Sequence, residues 1–124
     1  MNITLNGRYK IEKKIGEGGF SEVFIAKDLK DPTKNLIAKL EPSNTWYPHV
    51  FYEARIYESL KDLRGIPTMI KSGPEGDFNY IIMERLGTNL NCLLQECGGR
   101  FQLQNVILLA GQMLNLLEEL HKKQ

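Results

Sequence analysis

YKIEKKIGEGGFSEVFIAK, residues 9–27, is the stretch that decides the fold of this chain. Side chains alternate from Tyr9 to Ile15 as in a β-strand, and a second strand pattern runs over 22–27. Between them, residues 16–21 read Gly-Glu-Gly-Gly-Phe-Ser and break the alternation. The stretch therefore predicts two antiparallel strands joined by a glycine-rich hairpin.

Three more strands are predicted downstream, over 36–40, 68–71 and 78–84. Turn residues over 73–77 separate the last two strands. Before them, Val50, Ala54, Tyr57 and Leu60 have helical spacing and predict a helix.

Two further helices are predicted, over about 89–97 and about 102–122. The element order β-β-β-α-β-β-α-α indicates the α+β class, with a five-stranded antiparallel sheet and one helix followed by two more helices.

Length and charge exclude several classes of protein. With 124 residues and a formal net charge of +1, the chain is not expected to bind nucleic acid or a membrane surface through its charge. Its longest aliphatic run, 106–110, is far below the roughly 20 residues of a membrane span. The first residues lack a signal-peptide pattern, so we expect a cytoplasmic or nuclear protein. Cys92 and Cys97 have no accompanying ligand set, so neither a disulfide nor a metal site is predicted.

The glycine-rich segment allows two nucleotide-binding interpretations. A dinucleotide-binding fingerprint needs a helix after the glycines, and here a strand follows. A hairpin that covers nucleotide phosphates needs a strand on both sides, which fits, with Val23 in the usual valine position and Ser21 in place of the third glycine. A plain hairpin turn remains the alternative.

Lys39 and Glu53 strengthen the second interpretation. Ile37-Ala38-Lys39 resembles the strand motif whose lysine holds nucleotide phosphates. Glu53 falls within the apolar arc of the first helix, where a carboxylate needs a cation. Lys39 is the expected partner, because the lysine of this strand motif pairs with a glutamate of the following helix in the proteins that carry the motif. The alternatives are a solvated strand lysine and a glutamate that faces solvent.

Together these features resemble the N-terminal lobe of a protein kinase, and further motifs resemble the casein kinase 1 group. The resemblance extends from Tyr9 to the end of the sequence. The residues that carry it are Lys39-Leu40-Glu41, Glu53-Ala54-Arg55-Ile56-Tyr57, Gly65-Ile66-Pro67-Thr68, Glu75-Gly76-Asp77-Phe78-Asn79, Met83-Glu84-Arg85-Leu86-Gly87 and Leu109-Ala110-Gly111-Gln112-Met113.

The resemblance implies an ATP site. Met83 would be the gatekeeper, Glu84 to Leu86 the hinge that binds adenine, and Ile15, Val23 and Ala38 the residues that enclose the base. Cys92 stands where family members often carry an acid near the ribose, a departure from the pattern. The nucleotide-binding residues implied are Ile15, Gly16, Glu17, Gly18, Gly19, Phe20, Ser21, Val23, Ala38, Lys39, Glu53, Met83, Glu84 and Leu86.

The resemblance also implies lobes, with residues 1–87 as the kinase-like N-lobe and hinge and 88–124 as the first two helices of an incomplete C-lobe. Neither His-Arg-Asp nor Asp-Phe-Gly occurs, so the catalytic base and the Mg²⁺ ligands of a kinase are missing. We expect part of a serine/threonine kinase that does not transfer phosphate by itself. The alternatives are a natural short, non-catalytic interaction or regulatory module and an unrelated α+β protein.

The last predicted helix is unusually apolar. From Leu103 to Leu120, 11 of 18 residues are Ala, Val, Ile, Leu or Met, and they cover far more than the ~100° of a one-sided surface helix. We therefore expect self-association or a partner protein at the 103–120 helix.

Overall fold

The computed structural model describes residues 3–19 and 21–123. The strands form one antiparallel sheet in the order β1-β2-β3-β4-β6-β5. The elements are β1 (Thr4–Leu5), β2 (Tyr9–Glu17), β3 (Glu22–Asp28), β4 (Leu36–Pro42), α1 (His49–Ser59), β5 (Met69–Glu75), β6 (Phe78–Glu84), α2 (Leu90–Glu96) and α3 (Leu103–Lys122). The α+β class and all eight predicted elements are confirmed, whereas the sheet has six strands rather than the expected five.

The chain divides into two compact units. The first comprises Met1–Lys61 and Pro67–Arg85, and the second comprises Asp62–Ile66 and Leu86–Gln124. The first unit therefore holds the whole sheet and α1, and the second holds α2 and α3.

The sheet of the first unit carries a buried cluster on each face. One face packs Phe24, Ala38, Leu40 and Ile82 with other side chains of the sheet. On the other face, Ile81 and Met83 pack against Val50 and Ala54 of α1, which confirms the apolar side predicted for this helix. Because strand side chains alternate between faces, β4 and β6 contribute to both clusters: Ala38 and Ile82 lie in the first, and Ile37 and Ile81 in the second.

The strand that the sequence analysis missed is β1. It has two residues, pairs with the start of β2 and buries Leu5 completely. Asn6, Gly7 and Arg8 connect the two strands; Asn6 and Gly7 have φ of 54° and 63°, and Arg8 N donates to Leu5 O at 3.0 Å. An Asn-Gly pair is a strong signal for such a turn, but a two-residue strand is too short to show alternation.

The hairpin between β5 and β6 is tighter than expected. Residues 73–77 were predicted to be a turn, and this is wrong because Gly73, Pro74 and Glu75 belong to β5. Only Gly76, with φ of 54°, and Asp77 connect the paired residues Glu75 and Phe78. Pro74 is compatible with a strand here because β5 is the edge of the sheet.

The two edges of the sheet approach each other. Asn6, which follows β1, donates its backbone N–H to Glu75 Oε1 of β5 at 2.6 Å. The sheet thus curls toward a closed barrel, and its first cluster lies on the enclosed side. Burial raises the pKa of Tyr80, a member of that cluster, with a further contribution from the charge of Glu75.

An ion pair joins Arg8, the residue before β2, to Asp28, the last residue of β3. Arg8 Nε and Nη2 donate to the two carboxylate oxygens of Asp28 at 2.8 and 2.9 Å, and Lys30 N donates to Oδ1 at 2.9 Å. The Asp28 carboxyl is 1% exposed. The hydrogen bond from Arg8 is the main cause that lowers the pKa of Asp28 to about 2.

Replacement of Asp28 by Asn should therefore destabilise the fold in a pH-dependent way. The pKa of Asp28 is lower in the folded chain than its ordinary 3.8, so its contribution is complete above pH ~4 and is lost as the pH falls through about 2. At pH 7 we expect Asp28→Asn to melt roughly 5 °C or more below the wild type. The gap should close toward pH 2 in thermal unfolding followed by circular dichroism. The control Asp77→Asn, at an exposed turn residue, should melt like the wild type, and a pH-independent gap for Asp28→Asn would contradict this account.

In the second unit, Asn89 is the N-cap of α2, and its side chain accepts a hydrogen bond from Cys92 N at 2.8 Å. Leu116 of α3 packs on Gly65, where an added Cβ would lie 3.4 Å from Leu116 Cδ2. Lys123 Nζ lies 3.9 Å from Asp62 Oδ2. None of the helices in the described part of the chain is long and apolar enough to cross a membrane.

Candidate functional site

A glycine-rich hairpin connects β2 to β3, as the sequence predicts. Gly16 pairs with Val23 and Glu17 with Glu22, and Gly18 N donates to Ser21 O at 2.8 Å to close the loop. Phe20, one of the expected site residues, lies outside the described residues. A strand lies on both sides of the glycines, which is the arrangement that a phosphate-covering hairpin requires.

Lys39 lies on the neighbouring strand β4, directly opposite Val23 of β3. Its Nζ donates to Glu53 Oε2 of α1 at 3.0 Å, which confirms the ion pair predicted between these two side chains. The side chains are 23% and 40% exposed, so Glu53 is less buried than its position in the apolar arc suggested. A pair with this much exposure adds little to stability, and its ammonium keeps hydrogen-bonding capacity for a ligand.

The hairpin, β4 and α1 enclose a pocket of about 680 Å³. Most of the expected nucleotide-binding residues line it, namely Ile15, Gly16, Glu17, Gly18, Gly19, Ser21, Val23, Lys39 and Glu53. The structure therefore brings together residues from three separate parts of the sequence. The Glu17 carboxylate hydrogen-bonds to Lys14, which lowers the pKa of Glu17.

Ala38 does not belong to this set. It is completely buried in the cluster on the enclosed face of the sheet, whereas its neighbour Lys39 lies on the face that carries α1. Adjacent strand residues point to opposite faces, so these two cannot both line one pocket. Ile37, two residues before Lys39, packs against the cluster beneath α1 and is the residue that shares its face.

The expected gatekeeper Met83 and the first expected hinge residue, Glu84, do not line the pocket. Met83 is 3% exposed and packs with the α1 cluster. Glu84 exchanges two hydrogen bonds with Thr68: its N–H donates to Thr68 O at 3.0 Å and its Oε1 accepts from Thr68 N at 2.9 Å. Leu86 is 60% exposed and belongs to the second unit.

An aromatic group at the start of α1 also lines the pocket, and the sequence analysis missed it. Tyr47 stacks on Tyr52, with ring centroids 4.9 Å apart, and its ring centroid lies 4.6 Å from that of His49. The signal was available, because Tyr47 and Tyr52 flank the predicted helix start near Pro48. Both tyrosines are about half exposed and offer ring surface to a ligand.

Within residues 3–19 and 21–123, no three His, Cys, Asp or Glu side chains are grouped to hold a metal ion. Both cysteines are exposed and free. Among the described side chains that line the pocket, Lys39 is the one that carries a permanent positive charge and could bind phosphate oxygens.

No protein-family model matches this sequence.

Proposed function

We propose that this chain is the ATP-binding portion of a casein kinase 1-like serine/threonine protein kinase, and that the pocket beneath the glycine hairpin takes the nucleotide. In the complete protein, the reaction is phosphoryl transfer from ATP to a protein serine or threonine. Mg²⁺ would accompany the nucleotide there and neutralise phosphate charge. In this chain, Lys39 and the glycine hairpin would bind and orient the phosphates.

The observation that carries the proposal is the Lys39–Glu53 ion pair at 3.0 Å, in the wall of a pocket that the glycine hairpin also lines. A strand lysine that is fixed by a helix glutamate provides a positioned cation for phosphate oxygens. Glycines let backbone N–H groups approach those oxygens closely because no Cβ intervenes. The pocket volume of about 680 Å³ lies in the ~300–1,000 Å³ range of small-molecule sites.

Competition between ATP and an adenine-mimetic kinase inhibitor tests this proposal. Calorimetric titration should give ATP a dissociation constant on the order of 1 mM, weak because the metal ligands of a kinase are missing. The inhibitor should compete with ATP. Saturable inhibitor binding that ATP does not affect would contradict a shared nucleotide site.

The chain alone should not transfer phosphate. The sequence contains neither His-Arg-Asp nor Asp-Phe-Gly, so the base and the metal ligands that stabilise the transition state are missing. With labelled ATP and an acidic, casein-like substrate, we expect no incorporation above a no-enzyme blank. Turnover by the purified chain that Lys39→Ala abolishes would contradict this expectation.

The second candidate function is a natural, non-catalytic interaction or regulatory module. The observation that favours it is the row of exposed apolar side chains on α3, including Leu103, Ile107 and Leu114, which are 75%, 62% and 66% exposed. Apolar surface of this kind marks sites where another protein binds.

A further inference from the structure

Glu41 is a buried carboxylate that the proposed nucleotide site does not use. It lies near the end of β4 and is 1% exposed. Its Oε1 accepts from Val50 N at 3.2 Å and its Oε2 accepts from Asn79 Nδ2 at 3.1 Å. No ion pair within the described residues includes Glu41. Burial of a charge without a cation is costly, so these two hydrogen bonds have to compensate for it.

The two hydrogen bonds fix the beginning of α1 on the sheet. Val50 is the second residue of α1, and its N–H is one of those that no carbonyl within the helix can accept. The positive end of the helix also favours a carboxylate at this position. Asn79 lies opposite Glu41 on β6. The carboxylate therefore bridges two central strands and the first turn of the helix.

The same strand and helix carry the Lys39–Glu53 ion pair. Lys39 and Glu41 are two residues apart in β4 and lie on one face of the strand. Val50 and Glu53 are three residues apart in α1 and lie on one side of the helix. Two polar contacts therefore join β4 to α1, one at the helix start and one about a turn further along. Because both contacts join the same strand to the same helix, we expect a shift at the first to displace the second.

We propose that Glu41 is a positioning residue that holds the first turn of α1 against β4, so that Glu53 reaches Lys39. Its effect on the ion pair is independent of any ligand. Its effect on phosphate binding rests on the proposed nucleotide function.

Acylation of Lys39 tests the first effect without a ligand. The full chain is treated with an N-hydroxysuccinimide acetate reagent, and modification of Lys39 is measured by peptide mass spectrometry relative to the exposed Lys27. A lysine held by a carboxylate reacts slowly, so Glu53→Gln should raise the Lys39 ratio about two- to fivefold. Glu41→Met should raise it by a similar factor. Ile11→Val, which trims a buried side chain in the other cluster, should lower the melting temperature and leave the ratio unchanged.

If Glu41→Met does not fold, Glu41→Gln takes its place in the acylation measurement. Glutamine preserves the shape but offers one acceptor oxygen for two donors, so it should also raise the Lys39 ratio. A folded Glu41→Gln chain with the wild-type ratio would overturn the proposal.

Titration with ATP and with adenosine tests the second effect. Glu41→Gln and Glu53→Gln should each weaken ATP binding about two- to fivefold and leave adenosine binding unchanged, because adenosine has no phosphates. If Glu41→Gln lowered the affinities for ATP and adenosine equally while Lys39 was acylated as in the wild type, Glu41 would have a merely structural role and the proposal would be overturned. If the wild type binds neither ligand, the nucleotide function fails, while the acylation result still decides the role of Glu41.

Discussion

Lys39→Ala should reduce ATP binding about tenfold to a hundredfold and leave adenosine binding unchanged. A hydrogen bond to a charged group contributes about 1.5–3 kcal/mol, and each 1.4 kcal/mol corresponds to about a factor of ten in affinity. The lost ion pair with Glu53 is partly exposed, so its removal should cost no more than about 1 kcal/mol of stability. The variant should therefore stay folded but bind the phosphates of ATP more weakly.

Titrations followed by NMR chemical shifts measure this change: the wild type should approach saturation at millimolar ATP, whereas Lys39→Ala should stay far from saturation over the same ATP range. The matched control is Lys27→Ala, which removes an exposed lysine from the neighbouring strand β3 and from outside the pocket lining. Lys27→Ala should bind ATP like the wild type. Equal ATP affinity for wild type and Lys39→Ala would show that the phosphate-binding role proposed for Lys39 is wrong.

Self-association through α3 should be the dominant solution behaviour of the chain. Leu103, Ile107, Ala110, Leu114 and Leu117 follow one another at spacings of four and three residues, the repeat of helix-pairing seams. All five are exposed. Burial of each large side chain in such a seam gains about 1.5–3 kcal/mol. At tens of micromolar, size exclusion with light scattering should therefore show a dimer or a larger species.

Two lysines placed in this seam should prevent self-association and leave the chain monomeric. Ile107→Lys with Leu114→Lys puts two charges in the middle of the seam, where their burial is unfavourable. Gln104→Lys with Asn115→Lys adds the same charge to the same helix at exposed polar positions and should leave the association intact. A wild-type monomer at tens of micromolar that does not bind the apolar dye ANS would contradict an associating α3 surface.

Periodic segments of the sequence predicted most of the fold. The β2–β3 hairpin and α1 follow from alternation and helical spacing, which depend only on which side of an element is buried. The need of Glu53 for a cation followed from its place on the apolar side of α1, whereas the choice of Lys39 as the partner came from the resemblance to kinases, in which the strand lysine pairs with a glutamate of the following helix. The strand β1 was missed because two residues cannot establish a period.

Parts of the site depend on which face of the sheet a residue occupies and on contacts distant in sequence. Ala38 was assigned to the pocket although its neighbour Lys39 points to the other face, an error that strict alternation would have exposed. Glu41 is different, because a strand glutamate ordinarily faces solvent. Its burial depends on Asn79, 38 residues further along, and on a helix N–H that no residue pattern indicates.

Chemical-shift mapping of ATP binding on the wild-type chain is the most direct test of the proposed nucleotide site. The backbone amides of Gly16, Gly18, Gly19 and Lys39 should shift in a saturable way, with a dissociation constant on the order of 1 mM. The chemical shifts of the amides of β1 and of the β5–β6 turn, which do not line the pocket, should not change. Shifts confined to those regions or to α3, or no saturable shift up to about 10 mM ATP, would contradict a nucleotide site beneath the glycine hairpin.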